Sequence, residues 1–201
     1  MLDPTSFLPL EAPTQSFLIV GLGNPGREYR ENRHNAGFVI LDHLAARLGV
    51  SFSRLESKAL VTKSDYQGQQ LVLVKPQTYM NLSGISVSGL LRFYKIPLGN
   101  LLVAYDDVDL PLGTLRLRPD GGSAGQKGLA SIIERLGTQE FPRLRLGIGR
   151  PPGRMEASTY VLQNFHPSEV QILSETLDRA IEAILAFTSD GLNTAMNKYN
   201  G

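Results

Sequence analysis

Four polar residues lie where an apolar run gives way to a loop or a helix, and their side chains suit hydrolysis by an activated water. His34 immediately precedes a helical pattern, and Asp106 follows the apolar run 101–105. A histidine beside an aspartate provides an oriented general base. Asn24 and Asn81 carry amides that can bind a carbonyl and a water molecule without titrating. Helix caps and exposed loop positions are the alternative interpretation of these four residues.

The spacing of apolar residues predicts alternating strands and helices. Strands are expected at 16–20, 58–64, 70–75, 101–105, 114–118 and 143–148, and helices at 35–48, 83–94, 125–136, 167–187 and 190–199. This alternation indicates an α/β fold, a three-layer sandwich in which helices flank a mixed, mostly parallel central sheet. In open sheets of this class the active crevice forms where strand carboxyl ends meet helix N-termini. Residues 1–15 are expected to form an irregular tail, and residues 16–201 a single domain.

The composition excludes several kinds of chemistry. The 201 residues include no cysteine and only three histidines, which excludes disulfides, thiolate catalysis and Cys-ligated metal centres. No apolar run approaches the roughly 20 residues of a membrane span, and the N-terminus lacks the basic region of a signal peptide. We therefore expect a cytoplasmic protein with no membrane partner.

An acidic cluster follows the run 101–105. Asp106, Asp107 and Asp109 would suit Mg²⁺, although caps and loop carboxylates are the commoner explanation of such a cluster. We therefore expect neither a metal nor a cofactor.

The basic residues are concentrated in one segment. Residues 1–110 carry ten acidic and ten basic side chains, residues 111–154 carry a net charge of +5, and residues 155–201 carry −4. A basic segment with glycines and prolines between its arginines suits a phosphate backbone, and a solvated strand face equally well. The net charge of the whole chain, +1, conceals this segregation.

The segment 21–26 matches the dinucleotide-binding pattern GxGxxG after a predicted strand. In that motif the last glycine lies in the first turn of a helix that faces the pyrophosphate. Here Pro25 precedes it and the next helix begins near Asn35, too late for such a site. The segment is better interpreted as a tight loop that presents Asn24.

The segment 121–125 matches GxSxG, with Ser123 as the candidate nucleophile and His166 downstream. A nucleophile elbow requires a buried strand before its serine. The preceding strand carries Arg116 and Arg118 and should be half exposed. A Ser123 esterase is therefore the less favoured alternative.

Four separated blocks of the chain resemble those of the bacterial-type peptidyl-tRNA hydrolase family. They occur in the family's order, and they are Phe17–Gly26 with Tyr29 and Arg33–Gly37, Lys75–Gly84, Ala104–Gly113, and Arg143–Gly149. The resemblance implies hydrolysis of the ester between a peptide and the 3′ end of tRNA, which releases free tRNA and peptide. It also implies that His34 is the catalytic base, oriented by Asp106. The substrate-binding residues it implies are Asn24, Tyr29, Met80, Asn81 and Lys127.

The resemblance gives the basic segment a partner. Phosphates of the acceptor stem and CCA end would be bound by Arg116, Arg118, Arg145 and Arg154. Phosphate contacts position a nucleic acid without reading its sequence, which suits an enzyme that acts on many tRNAs. We expect the chain to act as a monomer.

The chain departs from the family at Gln126 and Lys127, where members commonly have His-Asn. A lysine donates hydrogen bonds but accepts none, so Lys127 would hold the attacking water less well or would bind a terminal phosphate instead. The departure leaves a second function open, because organellar relatives of the family bind RNA or protein partners in intron splicing. The alternative is thus an RNA-binding relative with weak or no hydrolase activity.

Overall fold

The computed structural model describes residues 14–201. Its strands are β1 Ser16–Gly21, β2 Arg54–Glu56, β3 Ala59–Tyr66, β4 Gln69–Pro76, β5 Leu101–Asp107, β6 Leu115–Arg118 and β7 Arg143–Gly147. Its α-helices are α1 Ala36–Arg47, α2 Ser83–Tyr94, α3 Lys127–Leu136, α4 Ala157–Tyr160, α5 Val170–Asp190 and α6 Leu192–Tyr199. Short 3-10 turns occur at Arg27–Tyr29, Arg33–Asn35, Met80–Leu82, Leu98–Asn100 and Pro167–Glu169.

Within these residues the strands form one mixed seven-stranded sheet, in the order β2-β3-β4-β1-β5-β7-β6. The four neighbours β4, β1, β5 and β7 are parallel, and β3 and β6 are antiparallel to them. The chain leaves β1 toward β4 and later returns to place β5 on the other side of β1. Loops that leave the sheet in opposite directions at such a point open a crevice at the strand carboxyl ends.

Two apolar cores cover the two faces of the sheet, because successive strand residues point to opposite faces. In β5, Leu102 and Ala104 belong to the core under α1, α5 and α6. Val103 and Tyr105 belong to the core under α2 and α3. The expected three-layer α/β sandwich is confirmed, and all of the described elements belong to a single α/β domain.

Most predicted elements are confirmed, and the differences are concentrated at their ends. The strand β5 continues to Asp107, so the first two acidic residues lie in the sheet instead of after it. The strand β2 and the helix α4 were not predicted, because three or four residues are too few to show a period. Residues 14 and 15 lie in neither a helix nor a strand, and the rest of the predicted tail lies outside the described residues. Among residues 14–201, none of the helices combines the length and apolarity needed to cross a membrane.

Candidate active site

A pocket of about 550 Å³ opens at the carboxyl edge of the parallel strands. The ends of three helices contribute to its lining: His34 before α1, Asn81 before α2 and Lys127 at the start of α3. Asn24, in the loop after β1, and Asp106, near the end of β5, complete the polar lining. The sequence placed the candidate residues at this edge, and the fold brings them into one cavity.

The side chains of His34 and Asp106 are hydrogen-bonded to each other in the lining of this pocket. The His34 Nδ1 atom lies 3.0 Å from Asp106 Oδ1 and 2.9 Å from Asp106 Oδ2. The side chain of Asp106 is 3% exposed and that of His34 is 13% exposed. Because an ionised carboxylate can only accept, the shared hydrogen belongs to Nδ1, and the lone pair of the neutral ring is on Nε2. This pair therefore has the arrangement of an oriented general base.

Close backbone packing holds His34 against the sheet. A Cβ at Gly37, in the first turn of α1, would collide with the Leu22 backbone and with the Ala104 carbonyl. The absence of a side chain there lets α1 begin directly over the ends of β1 and β5. The His34 N–H also donates to the Val161 carbonyl at 2.8 Å, which fixes the turn from its other side.

A hydrogen-bonded chain orients Asn24. Its Oδ1 atom accepts from the Met80 N–H at 2.8 Å. Its backbone is paired twice with the Asn35 side chain, which accepts from Asn24 N–H at 2.9 Å and donates to Asn24 O at 3.0 Å. With Oδ1 occupied, the Nδ2 group of Asn24 remains as a donor. The predicted tight loop that presents Asn24 is confirmed, and α1 begins only at Ala36.

Asn35 is a site residue that sequence reasoning missed. It is 2% exposed, and it directly follows His34. An asparagine at the start of an apolar helix pattern could have indicated this role. Such a position is expected to be buried, and a buried amide needs hydrogen-bond partners.

Of the other residues implied to bind substrate, Met80, Asn81 and Lys127 line the pocket and Tyr29 does not. Met80 is buried, whereas Asn81 and Lys127 are exposed at the rim. Tyr29 is half-buried in its own 3-10 turn, where its carbonyl accepts from the Asn32 N–H.

Part of the pocket wall is formed by α4 and the residues that follow it, which sequence reasoning also missed. Ala157, Ser158, Val161 and Leu162 line the pocket from this side. Leu162 and Tyr79, which both line the pocket, are 46% and 63% exposed, so the pocket presents apolar side chains to solvent.

Arg33, in the turn that carries His34, contacts this wall at Tyr160 of α4 and the segment after it at Glu169. Its guanidinium makes two hydrogen bonds to Glu169, of 3.1 Å and 2.6 Å. It also stacks between the rings of Tyr160 and Phe165, at 4.4 Å and 4.7 Å from their centroids. Burial acts to raise the pKa of the Glu169 carboxyl, but the hydrogen bonds and charge of Arg33 outweigh it and hold that pKa below its ordinary value.

The arginines of β6 and β7 share one face of the sheet. Arg116 pairs with Arg145 across the ladder, and Arg118 pairs with Arg143. Directly opposed residues of antiparallel strands point to the same side, and so do residues two apart. The alternating leucines of both strands face the core on the other side. Four of the eight basic residues of the segment therefore lie on one face of the sheet.

Two of these arginines are held by the fold itself. Arg143 is buried and donates to the carbonyls of Gly121 and Gln139, at 2.5 Å and 2.7 Å, so it anchors the glycine-rich loop. Arg145 pairs with Asp107 at 2.6 Å. Burial acts to lower the pKa of Arg145, but the hydrogen bond and charge of Asp107 raise it.

A second pocket, of about 360 Å³, lies on this basic face and is lined by Arg118, Arg143 and Arg145. Tyr105 and Ala124 belong to the lining of both pockets. Burial raises the pKa of Tyr105 to about 12, against the opposing effect of Arg143 and Arg145. The phenol in the common wall is therefore neutral at physiological pH.

The two remaining arginines implied to bind phosphate differ in position. Arg116 is half-buried, and among the described residues its Nε atom has no hydrogen-bond partner. Arg154 lies in an exposed loop and lines neither of these two pockets.

Ser123 lines the first pocket but does not form a nucleophile elbow. The strand β6 ends at Arg118 and α3 begins at Lys127, so the serine lies within a long loop instead of at a sharp strand-to-helix turn. No hydrogen bond joins its hydroxyl to His34 among the bonds within residues 14–201. The geometry thus lacks the activated serine of a triad.

The acidic cluster is divided among three partners. Asp106 pairs with His34, Asp107 with Arg145, and Asp109 with Arg150 at 2.7 Å. Alternation along β5 explains the division of the first two, because they point to opposite faces of the sheet. In the part of the chain that the structure describes, no group of three or more His, Asp or Glu residues is placed to hold a metal ion.

A hydrogen-bonded His–Asp pair beside amide side chains, in the crevice of an open α/β sheet, is an arrangement that suits a hydrolase. The peptidyl-tRNA hydrolase family model matches residues 18–201, and the chain belongs to that family. A peptidyl-tRNA hydrolase of Chloroflexus aggregans is 51% identical over 185 residues, which are 92% of this chain and 98% of that one. A chloroplastic peptidyl-tRNA hydrolase of Arabidopsis thaliana is 48% identical over 96% of this chain and 66% of its own.

A solved structure shows the same fold. The crystal structure of peptidyl-tRNA hydrolase from Acinetobacter baumannii superposes with a TM-score of 0.88 at 34% identity. The match covers 94% of this chain and 97% of that one. The family and fold expected from the resemblance are therefore confirmed.

Proposed function

We propose that this protein hydrolyses the ester bond between peptide and tRNA, with His34 as the base that activates water. The observation that carries the residue assignment is the 2.9 Å contact between His34 Nδ1 and the buried Asp106 carboxylate. Membership of the peptidyl-tRNA hydrolase family supplies the reaction and the substrate.

The proton path follows from the orientation of the imidazole. His34 Nε2 takes a proton from water as the oxygen attacks the ester carbonyl carbon, and Asp106 stabilises the imidazolium that forms. When the tetrahedral intermediate collapses, the bond to the ribose oxygen breaks. The imidazolium returns its proton to that oxygen, so the products are a tRNA hydroxyl and a peptide carboxylic acid, which then ionises by releasing its proton to solvent.

The two amides have different tasks. Asn24 Nδ2 is a donor for the oxyanion because Asn24 Oδ1 is already used by Met80, whereas Asn81 at the pocket rim offers its amide to the attacking water. Preorganised donors of this kind stabilise the developing oxyanion without reorganising during the reaction. Asn24 is therefore assigned to the carbonyl, and the water is left to His34 and Asn81.

The two ends of the substrate extend in different directions from the ester. Tyr79, Met80 and Leu162 offer apolar surface for peptide side chains. Arg118 and Arg145 offer positive charge for phosphates of the acceptor stem and CCA end, in the second pocket.

Four further residues complete the RNA side of the proposal. Lys127 would bind a terminal phosphate at the pocket rim, and Tyr29 would lie near the RNA 3′ end. Arg116 and Arg154 would bind phosphates further along the acceptor stem. The protein acts as a monomer in this proposal, and the cytoplasm is the compartment.

Release of tRNA from a purified peptidyl-tRNA tests the proposal. We expect His34→Ala to lower kcat by about a hundredfold to ten-thousandfold, the range for loss of a general base. Ser123→Ala is the matched control, because it truncates a second side chain of the same pocket, and it should retain most of the activity. Loss with Ser123→Ala alone would contradict the proposal in favour of an esterase. An inactive parent that still binds tRNA would favour the RNA-binding alternative, which the comparisons do not favour.

A further inference from the structure

Gln126 presents a buried carboxamide that none of the steps above uses. It is the N-cap of α3, 9% exposed, and part of the pocket lining. Its Oε1 accepts from the Leu129 N–H at 2.9 Å. This bond identifies the two ends of the amide, because only the oxygen can accept it. The Nε2 group therefore points away from the helix.

The Nε2 group of Gln126 faces two residues of the site. It lies 3.4 Å from Asp106 Oδ1 and 3.4 Å from Met80 Sδ. Gly128 makes room for this arrangement, since a Cβ there would lie 2.5 Å from Met80 Sδ and 3.1 Å from Gln126 Oε1. The carboxamide thus joins the start of α3 to the catalytic carboxylate and to the apolar floor of the pocket.

The hydrogen bond from Gln126 fixes the rotation of the Asp106 carboxylate, which the hydrogen bond with His34 leaves free. The two Asp106 oxygens lie at nearly equal distances from His34 Nδ1, 3.0 Å and 2.9 Å. A single N–H between two equivalent oxygens does not fix the rotation of the carboxylate. Gln126 distinguishes them, because it donates to Oδ1, and α3 holds Gln126 in place through the cap.

We propose that Gln126 is a positioning residue for the hydrolysis proposed above. It holds the Asp106 carboxylate in the plane that keeps the His34 hydrogen on Nδ1 and the lone pair on Nε2. It acts through Asp106 and touches neither the water nor the ester, so its loss should lower kcat and leave KM nearly unchanged.

The variant Gln126→Ser separates positioning from helix capping. Serine is a strong N-cap, so α3 stays capped, but its side chain is too short to reach Asp106. We expect an unchanged or higher urea midpoint, a kcat lower by about tenfold and a KM within about twofold, as for loss of one hydrogen bond to a charged group. The matched control is Gln139→Ser, at an exposed glutamine beyond the other end of α3, which should keep the parental kcat.

A second variant covers the case in which Gln126→Ser is too unstable to assay. Gln126→Glu retains an oxygen for the Leu129 N–H and replaces the donor facing Asp106 with a second acceptor. It should lower kcat at least as far as the serine variant.

¹⁵N NMR of the His34 ring provides a readout that a purely structural role would not move. The parent should show the Nδ1–H tautomer, and Gln126→Ser a mixture of the two neutral tautomers. A folded Gln126→Ser protein with parental kcat and an unchanged tautomer overturns the assignment. A parent without hydrolase activity contradicts the proposed function instead, and the spectra alone then decide whether Gln126 sets the tautomer.

Discussion

The Asn35 carboxamide pairs with both the N–H and the carbonyl of Asn24, at 2.9 Å and 3.0 Å, as a neighbouring strand would. Asn35 follows His34 directly, so this one side chain sets the separation between His34 and the loop that carries Asn24. Because Asn35 is buried and makes two hydrogen bonds to Asn24, the position of the Asn24 loop depends on the turn before α1.

Replacing Asn35 with Ala should impair both stability and turnover. Two backbone groups of Asn24 lose their partners in a buried site, so we expect a loss of about 1–3 kcal/mol in the free energy of unfolding. We also expect kcat to fall by about tenfold as the Nδ2 donor is displaced. Urea unfolding and the peptidyl-tRNA assay measure the two effects. Asn32→Ala changes another buried asparagine near the same turn and should leave kcat within about twofold.

Arg118→Ala should weaken binding of tRNA by an amount that depends on salt. Arg118 is exposed on the basic face, so its removal frees one phosphate of the RNA without a folding penalty. A plot of log Kobs against log salt should become shallower by about 0.7–0.9 for each phosphate that the protein no longer neutralises. Arg54→Ala is the control, since Arg54 is also exposed but lies in β2 at the opposite edge of the sheet. Equal slopes for the two variants would contradict the assignment of the RNA face.

The ion pair of Arg33 and Glu169 should make stability depend on pH in the acid range. The folded-state pKa of Glu169 is lowered from 4.5, so its contribution is present above that value and is lost as pH falls through the folded pKa. Glu169→Gln should cost about 1.5–3 kcal/mol at pH 7, because it removes the charge from one side of the hydrogen bonds between Arg33 and Glu169. Urea titrations at several pH values should show the difference between the parent and the variant shrinking as the pH falls below 4.5 and through the lowered pKa of Glu169. A difference that stays constant until the parent unfolds in acid would refute this explanation.

Gly84→Ala and Gly89→Ala should have opposite effects, although both change a glycine of α2. A Cβ at Gly84 would collide with the Ser131 carbonyl of α3, and this backbone cannot rotate away. We expect a loss of about 1–3 kcal/mol from overpacking. At Gly89 the nearest atom is the Ser57 Oγ at 3.1 Å, a side chain that can move, so helix propensity should dominate and the change should be neutral or favourable. Differences between the urea midpoints of the two variants check this prediction.

The framework of the fold was predictable because its strands and helices carry strong periods. The pattern of α2 located both of its ends, and β1 was found to within a residue. The strand β5 was predicted too short, since Asp106 and Asp107 are untypical of a buried strand. Their pairing with His34 and Arg145 explains why the sheet accepts them.

The site was predictable only as far as its residues lie at strand ends or match the family's blocks. Long-range partners such as Glu169, 136 residues from Arg33, leave no local pattern in the chain. The direction of the Asn24 amide depends on the Met80 N–H, a contact between loops that no spacing reveals. Gln126 was noticed as a departure from the family, but its contact with Asp106 required the structure.

Tyr105 and Ala124 form a wall that is common to the two pockets. The arginine-lined pocket and the His34 pocket are adjacent and rigidly spaced, since Tyr105 belongs to a central strand of the sheet. A polymer anchored by its phosphates on one side presents only one of its bonds on the other. Under the proposed function, the bond that is cut is selected by its distance from the anchored phosphates, and neither base sequence nor peptide sequence needs to be read.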